Sequence, residues 1–459
     1  VKVVQAYRYA LDPAPSQVEA LASHCGAARF AFNWGLGLVK AALDQRAAEQ
    51  SYGIPSELLT EAPWNLYALR RAWNTAKGQV APWWAENSKE AYNTGLDGLA
   101  RALKNWAASC KGKRAGKPIG FPRFKSKHRA ALSCRFTTGT IRLEADRRHV
   151  TLPRLGTIRT AESTRKLARH LERGTGRIMA VTVRYEGGRW FVSFTCEIDR
   201  ADRSPARSDA VVGVDLGVKN LAVLSTGEVV PNPKHHRAAL RKLRKLNKEL
   251  ARRHGPRTPG GGKRDASARW HKTKAALGKA HARVAGQRRD GLHKLTTALA
   301  GTYGTVVVED LNVSGMLANR SLARVIADTG MAEVRRQFTY KTTWNSGRLI
   351  VADRWFPSSK TCSACGAVKA KLPLHVRVFD CDECPLVMDR DENAARNLAA
   401  LAADVAQSCG ETENAPRETG RDGNRRPGGV GVRPTIGGRS AVKREPPMRG
   451  MPGRKATAA

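Results

Sequence analysis

At 459 residues the chain exceeds the roughly 250 to 300 residues that one hydrophobic core can serve, so several domains are expected. Its 41% hydrophobic content includes no run of 18 or more apolar residues, which excludes a membrane-spanning helix, and the charged, proline-containing opening VKVVQAYRYALDPAP lacks the pattern of an export signal, so the cytoplasm is expected. Eighty Lys and Arg against 40 Asp and Glu leave a net charge of +40 spread through every segment, and with no basic amphipathic anchor standing out this predicts a nucleic-acid partner and no membrane.

Residues 1 to 12 alternate as a strand through Val1, Val3, Tyr7 and Tyr9, and Ser16 with Glu19 predicts a capping box that opens a helical region reaching about residue 110. That region holds Trp34, Trp64, Trp73, Trp83, Trp84 and Trp106, expected mainly as anchors of a helical bundle. The stretch CKGKRAGKPIGFPRFKSKHR, 110 to 129, mixes cations, glycine, proline, Phe121 and Phe124; it cannot build a core and suits phosphate contact and base stacking. From 135 to 200 the pattern is β. Met179, Val181, Val183 and Tyr185 alternate, then, after Glu186-Gly187-Gly188, so do Trp190, Val192, Phe194, Cys196 and Ile198, predicting a hairpin in a small β-domain whose first strand lies before the helical insertion. Residues 201 to 209 read as a linker. Two basic helices are expected over roughly 234 to 254 and 263 to 298, split by GPRTPGGG and suited to line a nucleic-acid channel. Beyond Ala402 a disordered basic tail is expected.

Three acidic clusters carry the chemistry. VVGVDLG sets Asp215 inside an apolar strand, GTVVVEDLN ends a second strand with Glu309 and Asp310, and MDRDENAARNLAALA places Asp389 and Asp391 just before an alanine-rich helix. Each alone reads as a cap or strand-end acid. Converging carboxylates would instead repel one another unless divalent metal joined them, and two Mg²⁺ ions would serve an in-line phosphodiester displacement, the arrangement of an RNase H-like nuclease. Four of the nine cysteines form a second site: Cys362 and Cys365, then Cys381 and Cys384, two CxxC knuckles with the spacing of a closed, structural Zn²⁺ ribbon.

RWFPSSKTCSACG, CDEC and DRDENAARN, with GVDLGVKNLAV and VVVEDLNVSGM upstream and FNWGL, ALKNW, FPRFKSK and RFTTG in the first half, resemble the TnpB family of OrfB-type, transposon-encoded RNA-guided nucleases. The resemblance runs from residue 1 to about 402, and one departure is Pro385 after Cys384, where the family usually has glycine.

The resemblance implies an α/β multidomain protein: an RNase H-like (RuvC) nuclease domain with an inserted zinc ribbon, plus an N-terminal wedge β-barrel-like domain with a helical recognition insertion. The expected boundaries are 1–14 and 111–200 for the wedge, 15–110 for the helical domain, 210–354 and 386–402 for the nuclease, 355–385 for the ribbon and 403–459 for the tail. Asp215, Glu309 and Asp391 would be the catalytic, Mg²⁺-binding triad, and Cys362, Cys365, Cys381 and Cys384 the Zn²⁺ ligands. The implied activity is Mg²⁺-dependent, RNA-guided cleavage of both strands of double-stranded DNA beside a short motif, with a guide RNA from the transposon end, in the cytoplasm at the nucleoid. A compact type V CRISPR effector would use the same triad with a CRISPR RNA. A nuclease-inactive RNA-guided repressor would have lost a triad acid, and all three are present. Nothing in the residues marks the separate strand-transfer site of a transposase.

Overall fold

Apolar residues at alternate positions, many of them β-branched or aromatic, build the first half around one antiparallel sheet. The computed structural model describes residues 1–410 except 115, 128, 254–265 and 374, with side chains up to 403. In chain order the first half comprises β1 (Lys2–Asp12), α1 (Pro15–Ser51), α2 (Leu66–Val80), α3 (Lys89–Cys110), β2 (Ser133–Phe136), β3 (Arg142–Leu143), β4 (His149–Leu152), β5 (Gly156–Thr160), α4 (Arg165–Glu172), β6 (Gly176–Glu186) and β7 (Arg189–Asp199). The strands form a seven-stranded sheet in the order β2-β6-β7-β1-β5-β4-β3. β1 pairs along most of its length with β7 and hands its last two residues, Leu11 and Asp12, to β5.

The β6–β7 hairpin closes on Gly187 and Gly188, both at positive φ (59° and 84°), which suits a tight two-residue turn with Glu186 opposite Arg189. Trp190, Val192, Phe194, Cys196 and Ile198 all face inward, as their alternation predicts. Met179 does not: a bulge between Ile178 and Ala180 takes it out of register, and it is exposed together with Tyr185, while Ala180, Val181 and Val183 are buried.

α1 also starts differently from expectation. Its cap is Ala14, whose N–H donates to Gln17 Oε1 at 3.0 Å, with Pro15 in the first turn; Ser16 already lies inside the helix. α1 and α3 cross where Gly95 would put a Cβ 2.1 Å from the Ala28 carbonyl, so only glycine allows the contact. Leu21, Leu36, Leu96 and Leu99 from these helices share one contiguous core with Val181 and Phe194 of the sheet. Trp73 is a buried anchor, stacked on Tyr92 with centroids 4.8 Å apart and met edge-on by Trp34, while Trp64 is exposed and stacks on Trp106. Phe121 packs edge-on against Trp106, and Asn33 bonds both the N–H and the carbonyl of Lys125, so part of the basic 110–129 stretch is docked on the helices rather than free to stack bases.

The second half comprises β8 (Arg207–Asp215), β9 (Asn220–Leu224), β10 (Val229–Pro231), α5 (His235–Arg252), α6 (Ala268–Thr302), β11 (Tyr303–Glu309), α7 (Val313–Met316), α8 (Ala323–Thr329), α9 (Met331–Trp344), β12 (Arg348–Ala352), β13 (Val378–Asp380), β14 (Val387–Asp389) and α10 (Arg390–Gly410). A five-stranded sheet runs β10-β9-β8-β11-β12; β8, β11 and β12 are parallel, and β9 and β10 complete it antiparallel. Val212, Val214, Val306 and Val308 face a core shared with Leu292 and Leu299 of α6 and Val334 and Phe338 of α9. On the other face Val211, Val307 and Ile350 pack with Leu398 and Ala402 of α10. The apolar runs of β8 and β11 thus reflect burial on both sides. β13 and β14 form a separate two-stranded ribbon.

α10 continues to Gly410, so the helix passes the end expected at Ala402. The remainder of the expected basic tail, 411–459, lies outside the described residues, as does the breaker between the two basic helices.

Candidate functional site

Parallel pairing sets the C-terminal ends of neighbouring strands side by side. Val214 is opposite Val308, so the next residues, Asp215 and Glu309, leave the same end of the sheet from adjacent strands. The third acid arrives by close packing. Gly213 lies under α10 so tightly that a Cβ there would sit 1.9 Å from the Ala395 carbonyl, and the alanines of that helix face keep the gap narrow.

Within the two acid pairs the neighbours have different occupations. Asp389 Oδ1 accepts the N–H groups of Asp391 (2.9 Å) and Glu392 (3.2 Å), so Asp389 caps α10 and Asp391 is left to the site. Asp310 pairs with Arg335 and, at 2.7 Å, with Arg354; burial opposes its ionisation, but the two guanidiniums prevail and hold its carboxyl below the usual range. Glu309 instead accepts a hydrogen bond from Ser358 Oγ at 2.5 Å.

Asp215 carries the electrostatic signature. Burial first, then repulsion from Glu309 and Asp391, push its carboxyl up to about 8, with Asp389 adding to the rise and Arg390 opposing it. Asp215 is half-buried. Arg377 approaches Asp391 at 3.8 Å. Asp215, Glu309 and Asp391 thus repel one another, and Arg390 and Arg377 offset part of that repulsion.

The cysteines are gathered more tightly. Among the described residues, Cys362, Cys365, Cys381 and Cys384 are the group of potential ligands whose atoms all lie within 4.8 Å of one another. Cys362 and Cys384 sulfurs are 3.6 Å apart, as are those of Cys365 and Cys381, close to the edge of about 3.8 Å for a tetrahedron with Zn–S near 2.3 Å. The donor set therefore fits zinc. In the first knuckle Cys362 N–H donates to the Ala367 carbonyl and Gly366 takes φ of 78°. In the second, Cys381 N–H donates to the Leu386 carbonyl around Pro385, a residue that cannot adopt positive φ, so the knuckles close by different turns.

Sequence reasoning did not single out Ser358, the arginines on Asp310, or Asn393 and Asn397. The two asparagines, spaced four residues apart on an otherwise alanine- and leucine-rich helix, were the available signal, because amides buried there must be bonded to something.

Clefts rich in basic residues lie elsewhere on the chain. A cleft of about 500 Å³ is lined by Lys166 and Arg169 of α4 and Arg173 just after it, with Arg200 and Arg203. A second, of about 640 Å³, lies where the β6–β7 turn meets α6 and includes Arg8, Arg189, Lys279 and Arg289. Among the described residues no helix is long and apolar enough to cross a membrane.

Residues 193–320 match the OrfB_IS605 family ("Probable transposase"), 332–398 the Cas12f1-like TNB domain, and 3–47 the OrfB_IS605 helix-turn-helix domain. In this chain that last span is a strand followed by one continuous helix. A Mycobacterium tuberculosis (strain H37Rv) protein named "Putative RNA-guided DNA endonuclease Rv2885c" is 42% identical over 415 residues, covering 86% of each chain. A Streptomyces pristinaespiralis protein named "Putative RNA-guided DNA endonuclease" is 34% identical, covering 97% of each, and Escherichia coli K12 InsQ, of the same description, is 29% identical over 90% of this chain and 95% of its own. The Cas12f1 chain of a Cas12f1–sgRNA–target DNA complex aligns with a TM-score of 0.46 at 13% identity, covering 87% of this chain and 99% of that one. This chain belongs to the OrfB_IS605 family, that of the TnpB-like proteins.

Proposed function

We propose that the protein is a transposon-encoded, RNA-guided DNA endonuclease acting at the nucleoid. The observation that carries this reading is the convergence of Asp215, Glu309 and Asp391, with Asp215 pushed up by burial and then by the other two, while Asp310 and Asp389 are engaged elsewhere. In this reading the five-stranded sheet with α10 is an RNase H-like (RuvC) nuclease domain, 210–354 and 386–402, interrupted by a zinc ribbon at 355–385. Residues 1–14 and 111–200 form the wedge domain and 15–110 its helical recognition insertion. The three carboxylates would hold Mg²⁺, which when bound supplies charge stabilisation at the attacking and leaving oxygens of the phosphodiester. The chain's own residues orient that centre and bind the polyanions: the cationic clefts take guide RNA and target DNA, and the four cysteines hold one structural zinc.

The test is programmable cleavage. The protein is purified with RNA co-expressed from the sequence downstream of its gene, the last roughly 20 guide bases are replaced, and a plasmid library with randomised flanks is offered. Cuts should follow the new guide, require one short flanking motif, and be blocked more by mismatches next to that motif than by distal ones. Cutting that ignores the guide, or persists without RNA, would overturn the reading.

A further inference from the structure

We propose that Ser358 is a positioning residue for the acidic centre, and that Asn393 and Asn397 lock its placement to the cysteine ribbon; this rests on the reading of that centre as a divalent-metal site. Ser358 is buried at 3% exposure, and its hydroxyl donates to Glu309 Oε1 at 2.5 Å, fixing one carboxylate oxygen and the orientation of the other. Its own backbone is held from α10: Asn397 Nδ2 donates to the Ser358 carbonyl at 2.7 Å and to the Thr361 carbonyl at 2.6 Å. One turn earlier, Asn393 Nδ2 donates to the same Thr361 carbonyl at 2.7 Å, and its Oδ1 accepts the Ser363 N–H at 3.0 Å.

Cys362 lies between the two residues that Asn393 grips. Asn393 and Asn397 also share one face of the helix whose first turn carries Asp391. Asparagine is a poor helix former, and both amides are buried at 0% and 6% exposure, so their place in α10 is explained by these bonds and not by helix stability. The segment 358–363 therefore joins three things that are distant in sequence: the Glu309 carboxylate, the helix bearing Asp391, and the first zinc knuckle. The ribbon, in this view, braces the acidic centre as well as its own fold. Ligating carboxylates are commonly oriented by such outer hydrogen bonds, whose removal costs about 10- to 100-fold in metal affinity.

The experiment uses the full chain bound to its RNA, with Mn²⁺ as the probe. Mn²⁺ affinity by electron paramagnetic resonance, zinc content by atomic emission, RNA binding, and cleavage against divalent concentration are measured for Ser358→Ala, Ser358→Thr, Asn397→Ala and Glu309→Gln. Ser358→Ala should weaken Mn²⁺ binding about 10- to 100-fold and shift cleavage to higher divalent concentration, with zinc and RNA binding unchanged. Ser358→Thr, which keeps the hydroxyl, should restore most of both. Asn397→Ala should move in the same direction and release zinc faster to a chelator. Wild-type Mn²⁺ affinity in Ser358→Ala, no rescue by Ser358→Thr, or zinc loss in Ser358→Ala matching its loss of Mn²⁺ would each overturn the positioning role. Glu309→Gln separates the two readings: if it loses Mn²⁺ affinity while Ser358→Ala does not, only the positioning role falls, and if it keeps that affinity the acidic centre itself is misassigned.

Discussion

The four cysteines take their geometry from two short knuckles closed by local backbone hydrogen bonds, whereas the three acids come from two strand ends and a helix start that meet only once the five-stranded sheet and α10 have packed. The cysteine set can be read from spacing because its loops are nearly self-sufficient. The acidic set depends on sheet register, on glycine at 213 and on caps and ion pairs that draw neighbouring acids away. A local site tolerates distant change and fails when a ligand is lost; an assembled site fails when its scaffold shifts by an ångström.

The largest effect should come from the acids themselves. Asp215→Ala, Glu309→Ala or Asp391→Ala should each lower cleavage of both strands by about 1,000-fold or more, since several kcal/mol of charge stabilisation is lost, while RNA and target binding persist. A mutant that still nicked one strand at near wild-type rate would require a second nuclease centre. Next, Cys362→Ser or Cys381→Ser should lower zinc content, because structural zinc contributes about 10 kcal/mol or more to folding of such sites. Atomic emission on the purified protein checks this, and full zinc in both mutants would break the contrast at its local end.

Gly213→Ala tests the assembled end. The new Cβ would fall 1.9 Å from the Ala395 carbonyl, so α10 must move; a loss of about 1 to 3 kcal/mol in thermal unfolding and a disproportionate fall in cleavage are expected, with zinc content retained. Gly78→Ala in α2, where a Cβ meets open space, should leave cleavage intact and raise stability by up to about 1 kcal/mol.

The last test is the pH dependence of the metal-free protein. The folded state raises Asp215 to about 8, above the ordinary range of an unfolded aspartate, so between these values the folded chain holds the extra proton. Stability from this group is therefore greatest at low pH and declines as pH rises toward 8. Asp215→Asn should flatten that decline in thermal melts recorded with chelator, and divalent metal should offset it in the wild type. An unchanged slope in the mutant would show that Asp215 does not carry the repulsion.

Much of the fold was legible where a pattern repeats with one period. Alternation in Trp190 to Ile198 predicted β7 and its inward face, and the Gly187-Gly188 pair predicted the turn. The same rule misplaced Met179, because a one-residue bulge inverts the faces of a strand and leaves no mark in its composition, and Tyr185, which keeps its register but lies at the exposed hairpin end. Ser16 and Glu19 looked like a capping box, but Pro15 already fits the first helical turn, so the helix begins earlier and Gln17 closes it. Phe121 looked free to stack on bases because flexibility was read from glycine and proline, but Trp106 holds its ring, while Phe124 stays exposed with Lys40 over it.

By itself the sequence determined the cationic character, the CxxC spacing of the ribbon and the three acidic clusters, since charge and local ligand spacing survive unfolding. The resemblance alone named Glu309 and Asp391 over their neighbours; what occupies those neighbours was decided by tertiary structure. Arg335 and Arg354 reach Asp310 from another helix and loop, and Asp389 turns to the α10 N-terminus. The Ser358, Asn393 and Asn397 network is likewise tertiary, because a buried hydrogen bond depends on where two distant segments are brought together and not on what either segment prefers alone.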